Sequence, residues 1–224
     1  MTENFFKKNF LIKKNENNLL NFLRFNTNID SGGNKLYDGL GNHSLQNPEE
    51  LVWIIKKIQE ITKNKKFKNK SFLEIGYSHG FTNTVLNKCF NFEKIVSVDI
   101  VNNTGQSKDS FFANLRFRNM VLLCGDSRSN FIKQQISLNS KYDLTFIDGG
   151  HDYDVVRNDF EIAKKNASKN SIIIFHDIDA SACDGPRKLW KSIIKNKTNN
   201  MKTYQYICKD YQIRYGIGIV VLSP

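Results

Sequence analysis

Two short stretches hold the residue types that acid–base and metal chemistry require. Asp148-Gly149-Gly150-His151 follows the apolar run Tyr142–Ile147, and His176-Asp177 follows Ile172–Phe175. If these runs are neighbouring strands, two carboxylates and two imidazoles meet on one rim. Such a group can hold a divalent cation or take a proton from a substrate hydroxyl. As a cation site, Asp148 and Asp177 supply charge and His176 completes the ligands; imidazole favours zinc, manganese or iron over magnesium. As a base, His151 or His176 is the candidate. A blander reading stays open, in which the aspartates cap loops and one histidine is a structural hydrogen-bonder.

A second constellation lies earlier, in Leu73-Glu74-Ile75-Gly76-Tyr77-Ser78-His79-Gly80. Gly76 permits a tight turn, and Gly80 lets the chain approach a ligand before a helix begins. The spacing is G-x-x-x-G with an acid two positions ahead. A dinucleotide fingerprint needs G-x-G-x-x-G, and Ser78 stands where its second glycine would be. Asp99 ends the next apolar run, 23 residues after Gly76, where an acid can accept hydrogen bonds from both ribose hydroxyls. Cys124-Gly125-Asp126-Ser127 is a polar turn placed to meet an adenine edge. Together these features indicate a nucleoside-bearing cofactor.

The elements that must position these residues follow from apolar periodicity. Strands are expected at Phe72–Ile75, Ile95–Val98, Val121–Leu123, Tyr142–Ile147 and Ile172–Phe175, with two more near Thr203–Cys208 and Gly216–Leu222 as an antiparallel pair. Helical faces are read in Leu51, Ile54, Ile55 and Ile58, started by Asn47-Pro48-Glu49-Glu50. Others are Phe81, Val85, Leu86 and Cys89, and Tyr153, Val156, Phe160, Ala163 and Ala167. A last helix from Pro186 is expected to bury Leu189, Trp190, Ile193 and Ile194. Continuous apolar strands alternating with amphipathic helices imply a Rossmann-like α/β sheet covered on both faces. Residues 1–46 are read as an N-terminal helical extension and residues 47–224 as the main domain. Within the extension, Asn26–Gln46 is read as a loop long enough to be a lid over a substrate, with Tyr37 and His43 facing it.

Composition narrows the classes. With 224 residues, 40% hydrophobic and 25% charged, the chain is an ordinary folded protein, and no apolar run approaches a membrane span. Lysines break the N-terminus before a signal-peptide core can form. Four scattered cysteines show no zinc-type pair and suit a reducing, cytoplasmic compartment. The net charge is +11, but lysine outnumbers arginine, and the abundance of asparagine, isoleucine and phenylalanine is what an AT-rich genome would produce. The densest run, Lys63, Lys65, Lys66, Lys68 and Lys70, reads as a solvated turn. Nucleic acid is not the expected partner.

As a set, Glu-Ile-Gly-x-x-x-Gly, the acid after the second strand, Gly-Asp-Ser after the third and Tyr-Asp-Leu-Thr-Phe-Ile-Asp-Gly-Gly-His after the fourth resemble class I S-adenosylmethionine-dependent methyltransferases. The subgroup most similar acts on small-molecule and sugar hydroxyls, and the resemblance runs from about Gln46 to the end. It implies a seven-stranded, doubly wound sheet of order 3-2-1-4-5-7-6 with the seventh strand antiparallel. It implies that Glu74, Gly76, Ser78 and Gly80, with Tyr77, line the methionine moiety of S-adenosylmethionine. Asp99 would hold the ribose, Asp126 and Ser127 would flank adenine, and Asp148 would close the cofactor site. Related catechol-type enzymes hold magnesium with an acid after the fourth strand and Asp-Asn after the fifth; here that pair is His176-Asp177. The Asn/Asp-Pro-Pro-aromatic motif of amino-methylating nucleic-acid enzymes is missing, as is a Pro-Cys nucleophile, so a small-molecule or glycan hydroxyl is the expected acceptor. The rival readings are a nucleic-acid methyltransferase, an NAD-binding enzyme and a non-catalytic nucleotide-binding module.

Overall fold

A computed structural model describes residues 20–21, 23, 27–28, 35–37, 43–62, 71–78, 80–100, 119–139, 141–210 and 214–223. Most of the expected helical extension and the lysine run at 63–70 lie outside these residues. So do the side chains of Tyr37 and His43.

Within the segment read as a lid loop, three short strands pair antiparallel: β1 (Thr27–Asn28), β2 (Lys35–Tyr37) and β3 (His43–Leu45). Strands this short carry no alternation, so periodicity could not reveal them. Helix α1 (Pro48–Thr62) follows and buries Leu51, Ile54, Ile55 and Ile58.

The main sheet then begins. Strand β4 (Ser71–Ile75) leads through a turn into α2 (Phe81–Phe90), then β5 (Lys94–Asp99) and β6 (Met120–Cys124). After β6 come α3 (Asn130–Leu138), β7 (Tyr142–Ile147) and α4 (Tyr153–Lys165). The chain ends with β8 (Ala167–Phe175), α5 (Asp184–Lys195), β9 (Met201–Tyr206) and β10 (Ile217–Leu222). The sheet order is β6-β5-β4-β7-β8-β10-β9. Counted within the sheet this is 3-2-1-4-5-7-6, and β10 runs antiparallel to both its neighbours. The expected topology is the observed one.

Alternate residues of each central strand serve opposite faces, as the pleat requires. Phe72, Ile95, Leu144, Phe146, Ile172, Ile174 and Ile219 pack with the apolar faces of α1 and α2. Leu73, Ile75, Val96 and Val98 face α3 and Ile162 of α4, while Ile147, Ile173, Phe175 and Val220 face α4 and α5. The central parallel strands β4 and β7 are therefore buried throughout, which fixes where their carboxyl ends emerge.

Two expectations need correction. Ala167 is not on the helix: α4 stops at Lys165, and β8 starts at Ala167 with a register shift against β7 that the polar residues Ser168–Ser171 absorb. Asp143 ties this irregular start down, accepting from Ser168 Oγ at 2.6 Å and Ser71 N at 3.0 Å. Ile194 is 41% exposed rather than buried, because Leu189, Trp190 and Ile193 already fill the stripe facing the sheet.

Glu50, on the first turn of α1, joins the two halves of the chain. It is fully buried, and its Oε1 accepts from Gly216 N at 2.9 Å and Cys208 N at 3.1 Å. Replacing it strands two buried donors, each bond to a charged acceptor contributing roughly 1.5–3 kcal/mol. Glu50→Ala should lower unfolding free energy by about 3 kcal/mol or more in urea titrations, whereas a change under about 0.5 kcal/mol would show that water replaces the carboxylate.

Candidate functional site

The carboxyl ends of β4, β5, β6 and β7 are laced together through the backbone. Gly76 N donates to Val98 O at 2.9 Å, Asp148 N to Ile75 O at 2.8 Å, and Gly125 N to Asp99 O at 2.8 Å. Gly76 has φ +95°, and a Cβ there would fall 1.9 Å from the Asp148 carbonyl oxygen. Only glycine satisfies both conditions. Above this crossing lies a cavity of about 400 Å³ lined by Gly76, Ser78, Asp99, Asp126, Ser127 and Asp148, among others. That volume lies within the range of small-ligand sites, roughly 300–1,000 Å³. Six of the nine expected cofactor residues thus share one cavity.

The other three support it from behind. Glu74 is 1% exposed and accepts from Asn83 Nδ2 and Ser97 Oγ, both at 2.9 Å. Tyr77 turns into the core beside α2, and Gly80 is buried against the Tyr77 ring, where a Cβ would clash. Glu74, Tyr77 and Gly80 therefore shape the turn and do not face the cavity. Spacing alone cannot separate a residue that lines a turn from one that braces it.

The rim acids differ in their partners. Asp99 Oδ2 accepts from Ser78 N at 2.5 Å, so the glycine turn and the second strand end are joined by a charged hydrogen bond. Asp126 is gripped by Arg128, with Nη2 2.6 Å from Oδ2, and the guanidinium holds its carboxyl below the usual range. Ser127 Oγ donates to Asp159 Oδ1 at 2.6 Å. Asp159 is a lining residue that the sequence reading missed: it comes from the middle of α4, where a lone acid carries no motif. Burial raises its pKa, and its Oδ2 has no hydrogen-bond partner among the described residues.

On the other side of Asp148 stands the acid–imidazole cluster. His176 N donates to Ile147 O at 3.1 Å, so the fourth and fifth strand ends are adjacent. His176 Nδ1 lies 3.0 Å from Asp148 Oδ1 and 3.3 Å from Asp177 Oδ1, and His151 Nε2 lies 3.1 Å from Asp177 Oδ2. Tyr215 tilts over the His176 ring at 5.1 Å, and Gln46 Nε2 donates to Asp148 Oδ2 at 3.1 Å. All four expected residues are together. His176, however, is 3% exposed with both ring nitrogens buried, which removes it as a base in contact with substrate. His151, half exposed, is the accessible imidazole.

Burial works against ionising His176, but Asp148 and Asp177 outweigh it and raise its pKa well above the usual value. Burial likewise raises Asp148, while for Asp177 the two imidazoles prevail and hold the carboxyl well below its ordinary range. The Asp177 bond is the main cause of a raised pKa at His151. Among the described residues, neither ring nitrogen of His176 finds an aligned hydrogen bond despite the two nearby carboxylates. A buried imidazole beside two carboxylates is a donor set that fits a cation; one atom each from Asp148, His176 and Asp177 lies within 4.8 Å of the others.

Glu74 generates a pH prediction. Burial raises its pKa from 4.5 to about 8, so the folded state keeps a proton that the unfolded chain releases. Its contribution to stability is complete below about pH 4.5 and is lost as pH rises through about 8. The stability of Glu74→Gln relative to the natural chain should therefore climb across that window in thermal melts. A difference independent of pH would contradict a protonated Glu74.

Residues 73–178 match a methyltransferase-domain family. No curated protein matches the sequence. Among solved structures, the O-methyltransferase TomG from Streptomyces achromogenes, involved in tomaymycin synthesis and in complex with S-adenosylmethionine, is 12% identical with a TM-score of 0.60. The alignment covers 81% of this chain and 82% of that one. MycE of the mycinamycin pathway, in complex with magnesium and S-adenosylhomocysteine, is 16% identical with a TM-score of 0.54, over 76% of this chain and 50% of that one. An rRNA methylase from Streptococcus thermophilus is 8% identical with a TM-score of 0.59, over 81% and 99%. At these identities the structural likeness speaks to the fold. The domain match over residues 73–178 and the strand order converge on a methyltransferase domain with the fold of class I S-adenosylmethionine-dependent methyltransferases.

Proposed function

We propose that the chain methylates a hydroxyl of a small molecule or sugar, with a divalent cation at Asp148, His176 and Asp177 and with His151 as general base. One observation carries this reading: Asp177 reaches the buried His176 with one oxygen and the half-exposed His151 with the other, beside an Asp148 that also lines the cofactor cavity. Deprotonation and methyl donation would thus meet at one strand end. The magnesium bound to MycE and the likeness to the O-methyltransferase TomG favour the same assignment.

The methyl group sits on the sulfonium of S-adenosylmethionine, and in-line placement of an acceptor oxygen supplies much of the barrier reduction. A cation held by Asp148, His176 and Asp177 would polarise that oxygen and lower its pKa. His151, oriented by Asp177, would take the hydroxyl proton. Gln46 would keep the Asp148 carboxylate turned toward the cluster. The Asn26–Gln46 segment would cover the acceptor, and only its last residue, Gln46, has a described side chain. Four unpaired cysteines suit a reducing, cytoplasmic setting.

Turnover against a panel of sugar, phenolic and aliphatic hydroxyls should be abolished by EDTA and restored by a divalent ion, with S-adenosylmethionine affinity nearly unchanged. His151→Ala should slow turnover roughly 10²–10⁴-fold. Full activity in EDTA would remove the cation, and full activity in His151→Ala would remove the base.

RNA as the acceptor is a second reading, favoured by the net charge of +11 and the likeness to an rRNA methylase. Phosphate contacts would give RNA binding a steep salt dependence, and its absence would dismiss this reading.

Asp159 adds a cofactor prediction. Asp159→Ala leaves Ser127 without its buried acceptor and should weaken S-adenosylmethionine binding by about 1–3 kcal/mol in calorimetry. Unchanged affinity in a folded variant would show that Ser127 is positioned without it.

A further inference from the structure

A second group of metal-ligating side chains overlaps the first but differs in chemistry. Cys183 Sγ lies 3.2 Å from His151 Nδ1, and His151 Nε2 lies 3.1 Å from Asp177 Oδ2. One ligand atom from each of His151, Asp177 and Cys183 lies within 4.8 Å of the others. The three residues come from separate segments: the loop after β7, the turn after β8 and the residue before α5. What holds them together is Gly185. Its N–H donates to His151 O at 3.0 Å, and a Cβ at that position would fall 2.3 Å from the same oxygen. The first turn of α5 is thereby pressed against the backbone of His151, and Cys183 is carried to the imidazole. Cys183 and Asp177 are buried, while the His151 side chain is 51% exposed, so the group is closed on the protein side and open through the histidine.

We propose that His151, Asp177 and Cys183 form a binding site for a thiophilic divalent cation of the zinc class, and that filling it inhibits methyl transfer by occupying His151. One sulfur, one nitrogen and one oxygen donor match zinc, with water as the fourth ligand. Bonds of about 2.0–2.3 Å place tetrahedral donors roughly 3.3–3.7 Å apart. Rotation of the half-exposed imidazole turns one nitrogen toward both partners. On binding, the Cys183 S–H bond breaks, a metal–sulfur bond forms, the proton passes to solvent, and the ion sheds water. The Asp148–His176–Asp177 set has no sulfur, so soft ions distinguish the two. Asp177 belongs to both. Binding at this site stands on the side-chain geometry alone; the inhibition rests on the reading of His151 as base.

The test uses the full chain freed of metal with EDTA and gel filtration. Titration with cobalt(II) should produce a sulfur-to-cobalt charge-transfer band in the near ultraviolet. That band should vanish in Cys183→Ser and survive in Cys89→Ser, Cys124→Ser and Asp148→Asn. Zinc affinity, read by competition with a chromophoric chelator, should fall at least tenfold in Cys183→Ser. Zinc added to the working enzyme should depress turnover more strongly in the natural chain than in Cys183→Ser, each compared with its own zinc-free rate. Cobalt binding without a sulfur band, a band that persists in Cys183→Ser, or no binding would overturn the site. A sulfur band without zinc inhibition would overturn the inhibitory role. The base assignment is judged separately by His151→Ala in zinc-free buffer, so its failure is distinguishable from failure of the site.

Discussion

The contact between Gly76 and the Asp148 carbonyl is the constraint on which the site depends. Parallel strands β4 and β7 would be neighbours in any sheet of this order, but their turns could diverge. A missing side chain at Gly76 lets the two turns close to a distance no other residue tolerates, and the bonds Gly76 N to Val98 O and Asp148 N to Ile75 O fix that closure. One consequence is that the acids of the cofactor cavity and the acid–imidazole cluster are separated by a single residue, Asp148. Its chain packs under the cavity while its carboxylate meets His176 and Gln46. Chemistry carried on rigid strand ends is positioned more tightly than chemistry carried on loops.

The cluster is not built for stability. Asp148, His176, Asp177 and Glu50 bring ionisable groups into a region from which water is largely excluded, and Glu50 Oε2, Gln46 Oε1 and both His176 nitrogens are buried without hydrogen bonds among the described residues. Desolvation of this kind commonly exceeds the attraction it permits. Asp177 also holds a left-handed backbone at φ +64°, a conformation costing up to about 1–3 kcal/mol outside glycine. The surroundings that impose this arrangement are identifiable: Glu50 fastens the start of β10, Tyr215 covers His176, and Gly185 brings α5 onto His151. Each stabilises the site's geometry where the site itself does not.

Much of this was legible in the amino-acid sequence because the buried central strands leave unmistakable apolar runs. Those runs end where chemistry is displayed, so Asp99, Asp148, His176 and Asp177 could be named from position alone. Ala167 was misplaced because one alanine fits a helical face and a strand start equally well. Glu74, Tyr77 and Gly80 have the right spacing for a ligand turn, yet their burial depends on packing against α2 and on Asn83 and Ser97, partners that spacing does not reveal. Asp159 and Cys183 were invisible for a different reason. Each reaches its partner, Ser127 or His151, across more than thirty positions of sequence through helix placement, and neither belongs to a local pattern.

The central claim is that one strand end, Asp148, divides a cofactor cavity from a cation-assisted base. The most direct measurement is a crystal structure of the full chain with S-adenosylhomocysteine and manganese, recorded with anomalous scattering at the manganese edge. The account predicts the nucleoside between Asp99 and Ser127, a manganese peak bounded by Asp148, His176 and Asp177, and the cofactor sulfur on the side facing His151. A nucleoside bound elsewhere, or manganese absent from those three residues at saturating concentration, would contradict it.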